Sequence, residues 1–124
     1  MNKKYWLLAP ALIVMTQSAS QLNAQDPCVV QEVPPVCQQA SRLTINVNAM
    51  RVAPPNICVR PGSTIEVNVV PNSFATIQPK GDRGWPRGSG SSFTLNVPDD
   101  ASGVYDYNVY FENGSCIDPR ISVD

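Results

Sequence analysis

Histidine is missing from all 124 residues, and with it the commonest general base and the commonest metal ligand. Lysine is scarce: Lys3, Lys4 and Lys80 are the whole supply. No pair of cysteines is spaced C-x-x-C, so the usual framework for zinc is absent as well. No Gly-x-Ser-x-Gly elbow occurs, and Gly88-Ser89-Gly90 falls short of one. No apolar run reaches the roughly 20 residues that a spanning helix needs. No stretch repeats with helical period either, and the 12 prolines break every segment long enough to try. These absences point away from an enzyme, a metal site or any other cofactor, and away from a helical fold.

The first segment reads as a secretory signal peptide over residues 1–24. Lys3 and Lys4 form the positive start, and Tyr5 to Met15 form an apolar run interrupted only by Pro10. Small residues then close a site at Ala24, with Ala19 as a second candidate. Cleavage after Ala24 predicts an exported protein beginning at Gln25, periplasmic or secreted, with no membrane insertion after processing. That remainder is one domain by size. It loses two of the nine basic residues and none of the ten acidic ones, leaving a mildly acidic chain. Nucleic acid, which calls for a basic face, is excluded as a partner.

All four cysteines, Cys28, Cys37, Cys58 and Cys116, follow the leader. An even number in an exported chain predicts two disulfides. Three pairings are possible. The expected one joins Cys28 to Cys37, closing residues 25–42 into a Pro-rich N-terminal arm, and Cys58 to Cys116, tying an early strand to the last loop. On a chain-entropy treatment these contribute roughly 2.7 and 4 kcal/mol.

From Leu43 onward the apolar residues alternate with polar ones, as at Leu43, Ile45 and Val47 or at Ile65, Val67 and Val69. Period two marks half-buried strands. The pattern returns at Ile57 and Val59, Phe93 to Val97, Tyr105 to Val109, and Ile121 and Val123, with turn chemistry between. The prediction is an all-β Greek-key sandwich of about seven strands over residues 43–124. Tyr105, two residues after Gly103 and just past Pro98-Asp99-Asp100, reads as a tyrosine corner, and Tyr107 as core. Asp99, Asp100 and Asp106 read as turn and solubility residues, since calcium asks for six to eight oxygens. Asn113-Gly114-Ser115 fits a glycosylation sequon but reads first as a tight turn.

The order of these signals resembles the cupredoxins over about the last 80 residues. Ile45-Asn46-Val47 through Ile57-Cys58-Val59-Arg60-Pro61-Gly62 to Ile65-Glu66-Val67 is similar to that family's opening strands. Gly103-Val104-Tyr105-Asp106-Tyr107-Asn108-Val109 resembles its Gly-x-Tyr-x-Tyr-x-Cys strand, and Asp118 to Val123 its closing strand. The resemblance implies a blue-copper site of two histidines, a cysteine and a methionine. Here the first histidine's position falls near Ala75 and the cysteine's at Val109. The loop Tyr110 to Ile117 supplies neither the second histidine nor the methionine, and Met50 is the only methionine after the leader.

The function expected is therefore that of a copper-free binding or interaction module for a protein or small ligand. Two rivals stand beside it: a copper-handling or electron-transfer protein with an unorthodox site, and a structural envelope protein. The longest loop, Gln78 to Ser92, carries Arg83, Trp85 and Arg87, residue types enriched at binding hot spots. This loop and Tyr110 to Cys116 are expected to share one end of the sandwich and form the binding surface. Trp85 has a second reading, in which it folds back over the sheet as part of the packing.

Overall fold

The computed structural model describes residues 28–29 and 31–124; the signal-peptide reading over residues 1–24 lies outside them. Among the described residues there is no helix, and eleven strands form two sheets. The strands are β1 (Gln38–Gln39), β2 (Arg42–Asn46), β3 (Arg51–Ala53), β4 (Asn56–Val59), β5 (Thr64–Val70), β6 (Ala75–Pro79), β7 (Gly88–Gly90), β8 (Ser92–Asn96), β9 (Gly103–Phe111), β10 (Cys116–Ile117) and β11 (Arg120–Val123). The larger sheet runs β1-β4-β11-β9-β6-β7, with β10 also on β9; the smaller runs β3-β2-β5-β8. The all-β sandwich expected from alternation is present. Its extra strands are short ones whose pairing is carried by backbone rather than by an apolar stripe.

Alternation places the core. Leu43, Ile45, Ile65, Val67 and Leu95 of the smaller sheet face Ile57, Ile77, Tyr107, Val109 and Ile121 of the larger, each no more than 1% exposed. Fully burying one such side chain is worth about 1.5–3 kcal/mol. The intervening residues of the larger sheet must point outward. They form a polar row in register, Asp106 beside Arg120 beside Asn56.

Gln78 to Ser92 is not one loop. Gln78 and Pro79 belong to β6, and Gly88–Gly90 returns beside it as β7, leaving residues 80–87 as the connection. A Gly-Ser-Gly strand has little intrinsic preference for a sheet. It is used because a Cβ at Gly88 would sit 2.7 Å from the Phe93 ring. At the Pro61-Gly62 turn, Gly62 has φ +80°, and a Cβ there would lie 2.8 Å from Asp99 Oδ1.

The two disulfides pair differently from the expectation: Cys28 with Cys116 and Cys37 with Cys58. The reason is the path of the arm, which does not fold back on itself but runs extended along the sandwich. Val29 bridges to Ile117 in parallel, and Gln38–Gln39 pairs in parallel with Ile57 and Cys58. Cys28 and Cys37 thus lie at separate stations, each opposite a different partner. Between them Gln31 ties the two sheets. Its side-chain amide donates to Val52 O (2.9 Å) and accepts from Val52 N (3.2 Å), while its backbone N–H donates to Asp118 Oδ1 (3.1 Å).

Candidate functional site

Tyr105 organises the side of the molecule that holds the 80–87 connection. Its ring is buried, and its hydroxyl accepts from Ser102 N three residues upstream (3.3 Å), the expected tyrosine corner. Arg83 reaches the same group: Nη2 donates to Tyr105 Oη at 2.7 Å and to Ser102 O at 2.8 Å, and the guanidinium carbon lies 3.9 Å from the Tyr105 ring centroid. Trp85 meets Tyr105 edge to face, with centroids 5.1 Å apart at 89°, and packs against the core. Arg83 and Trp85 are therefore brought together, around a structural tyrosine. Arg87 is exposed and stands apart from that cluster.

The two loops expected to share an end lie at opposite ends of β9. Lys80 N–H donates to Asp106 O and Pro79 pairs with Tyr107, whereas Phe111 N–H donates to Ser115 O beyond the far end of the strand. Six residues of extended chain separate Tyr105 from Phe111, about 20 Å. The antiparallel course of β6 beside β9 makes this unavoidable, because the residues that leave β6 do so where β9 begins.

A different grouping appears on the outer face of the larger sheet. One hollow of about 290 Å³ is lined by Lys80, Gly81, Arg83, Trp85, Val104, Tyr105 and Asp106. A second, of about 280 Å³, is lined by Gln31, Glu32, Val33, Lys80, Asp106, Asp118 and Arg120. Lys80 and Asp106 belong to both, so the two hollows adjoin across these side chains and form one trough between the 80–87 connection and the arm. Lys80 Nζ lies 3.3 Å from Asp118 Oδ2, and Arg120 Nε donates to Asp106 Oδ1 at 2.8 Å. All four side chains keep partial access to solvent, from 16% for Asp118 to 49% for Asp106. The floor beside Trp85 is apolar, since Val104 is 48% exposed there. The sequence singled out Arg83 and Trp85 but not Lys80, Asp118 or Arg120. For Arg120 the only advance signal is a polar residue alternating with core along β11; Lys80 and Asp118 lie in connections and carry no such signal.

Asp99 and Asp100 remain exposed in the turn before Ala101, whose N–H donates to Pro98 O. Asn113 Oδ1 accepts from Ser115 N–H at 2.9 Å, an Asx turn at the β9–β10 hairpin. Tyr107 is fully buried with no partner for its hydroxyl, and burial pushes that hydroxyl well above the ordinary tyrosine pKa.

The residues present do not fit a copper ion. Ala75 and Val109 are both wholly buried and offer no donor atom, and they are not directly paired: Ala75 lies opposite Phe111, and Val109 opposite Ile77. Cys116 is bonded to Cys28, and the Met50 sulfur takes a contact from Ser115 Oγ at 3.5 Å. Among the described residues no three of His, Cys, Asp or Glu gather as a metal would require.

No protein-family profile matches the chain, and no curated protein matches it. Among solved structures it is similar to a purple cupredoxin from Nitrosopumilus maritimus, at 18% identity over 68% of this chain and 100% of that one, with a TM-score of 0.48. It is also similar to a reduced variant of amicyanin, at 13% identity over 68% of this chain and 83% of that one, TM-score 0.48. A Cu(I) form of another amicyanin variant stands at 13% identity, 68% and 84% coverage and TM-score 0.48.

Proposed function

We propose that this is an exported, copper-free binding module of the periplasm or extracellular space, and that its recognition site is the trough on the outer face of the larger sheet. The observation that carries the reading is the pair of adjoining hollows, about 290 and 280 Å³, that share Lys80 and Asp106. Three parts of the chain distant in sequence supply charged groups there, on a rigid sheet and at the mouths of connections, where β scaffolds place recognition. Each hollow lies close to the lower end of small-ligand sites, about 300–1,000 Å³. Two disulfides fit an oxidising compartment. With no histidine in the chain, binding is a better use of this set of groups than proton-transfer catalysis.

The test is to purify the protein from its native host, denature it and identify released small molecules by mass spectrometry, beside a Lys80→Met, Asp106→Asn double variant. A compound released by the wild type and absent from the folded variant supports the trough. Equal release from both removes the trough as the binding site.

A further inference from the structure

The larger sheet ends in β1 and β7 and the smaller in β3 and β8. An edge strand is kept from pairing with another chain by shortness, charge, proline or a cover over its backbone. β1 is two residues long, follows Pro34 and Pro35, and is pinned by Cys37–Cys58. β3 is three residues long and carries Arg51, and the Gln31 side-chain amide takes both the N–H and the carbonyl of Val52. β7 is only the three residues Gly88–Gly90. β8 has none of these guards. It is five residues long, and from Gly88 to Val97 the chain contains no charged residue and no proline.

The ladder with β5 shows which groups β8 leaves open. Val69 N–H donates to Ser91 O and Val97 N–H to Ser63 O, both in continuation of the β5–β8 register. Hydrogen-bonding direction alternates along an antiparallel strand. Phe93 and Leu95 therefore turn their backbone groups to β5, and Ser92, Thr94 and Asn96 turn theirs to the free edge. Among the described residues nothing takes those outward groups. Side chains alternate too: Ser92, Thr94 and Asn96 are exposed, Leu95 is buried, and Phe93 is half-buried against the core.

This edge is complementary to itself. An antiparallel two-fold centred on Thr94 sets Ser92 opposite Asn96 of a second copy, Thr94 opposite Thr94, and Asn96 opposite Ser92, and each pair exchanges both N–H···O bonds. Every outward group of the strand is then used. Hydroxyl and amide side chains meet on the solvent face, a favourable cross-strand combination, while Phe93 meets Leu95 of the second copy on the inner face and gains cover. No like charges are opposed: Glu66, beside Thr94 on β5, is one strand back and already paired with Arg42 at 3.4 Å. The larger sheet does not block the approach either, because the edge packed under β8 is β7, where Ser89 carries the only side chain.

We propose that β8 is a homodimerisation edge, at which two copies pair antiparallel about Thr94 and join their four-stranded sheets into one. The trough plays no part, since β8 lines neither hollow. One five-residue strand makes a small interface, so the association is reversible and concentration-dependent. The experiment is sedimentation equilibrium of the disulfide-bonded protein from about 10 μM to 1 mM, with amide hydrogen exchange at both ends of that range. A dimer should grow with concentration, and exchange should slow at Ser92, Thr94 and Asn96 but not at Phe93 and Leu95, which are already bonded to β5. Thr94→Lys sets two ammonium groups opposite each other on the exposed face. Thr94→Pro removes the central N–H, which no internal bond uses. Each should weaken the dimer at least about tenfold, whereas Gln39→Lys, the same charge added at the β1 edge, should leave it unchanged. Thr94→Lys alters only an exposed side chain and keeps the fold, so it decides the matter if the proline variant does not fold. A protein that stays monomeric at about 1 mM overturns the proposal, as does a dimer that Thr94→Lys leaves intact.

Discussion

The two faces of β9 differ in almost every physical respect. Inward, Tyr105, Tyr107, Val109 and Phe111 are packed in the core; outward, Val104 meets solvent and Asp106 meets the oppositely charged Arg120. One strand thus serves stability on one side and carries the trough on the other. Alternation of period two is what permits this, since a substitution on one face leaves the other nearly untouched. The sharpest checks are substitutions whose effects should separate by face.

The largest effects belong to the arm that joins the two sheets. Removing Cys28–Cys116, with its 88-residue separation, should cost about 4.6 kcal/mol, and removing Cys37–Cys58, separated by 21, about 3.3 kcal/mol on the chain-entropy treatment. Urea titration of the paired Cys→Ala variants measures both, and non-reducing peptide mapping should recover a Cys28–Cys116 peptide. A Cys28–Cys37 peptide would contradict the path of the arm.

Next comes the cluster at Tyr105. Arg83→Ala removes a charge-assisted bond to the corner hydroxyl and a cation–π contact, and is expected to cost about 1–2 kcal/mol in thermal or urea unfolding. A cost near zero would return Arg83 to the role of a free recognition residue.

Tyr107 gives a pH-dependent check of the inner face. Its hydroxyl pKa is raised by burial, so the folded state keeps the proton that the unfolded state releases above its ordinary value of about 10. Stability is therefore whole below pH 10 and falls above it, by up to about 1.4 kcal/mol per pH unit from this group. Tyr107→Phe should flatten that decline. At neutral pH the same substitution should change stability by less than about 1 kcal/mol, because the hydroxyl has no partner to lose.

The smallest effects belong to the outer face. Lys80→Met and Asp106→Asn each break a partly exposed ion pair and should shift stability by only about 0–1 kcal/mol. A larger loss would make the trough's charges part of the fold.

The sequence made the alternating strands legible because each buries its own stripe, as Leu43 and Ile45 or Ile65 to Val69 do. β7 was hidden, since Gly88-Ser89-Gly90 has no stripe and is held by pairing with β6. The cysteine partners were hidden for a related reason: the Pro-rich composition of the arm favoured closing Cys28 on Cys37, whereas Gln31 and Val29 hold the arm extended through contacts with β3 and β10. Arg83 and Trp85 stood out by type, yet the structure turns both toward Tyr105. Lys80, Asp106 and Asp118 are ordinary residues at ordinary positions. Only the order of strands brings them together.

The most direct test of the account is to map amide chemical shifts while titrating the small-molecule extract of the native host. The account predicts changes concentrated at residues 80–85, 104–106 and 118–120. Changes confined to residues 47–50, 71–74 and 112–115, at the far ends of β2, β5 and β9, would contradict it and move recognition to the opposite end of the sandwich.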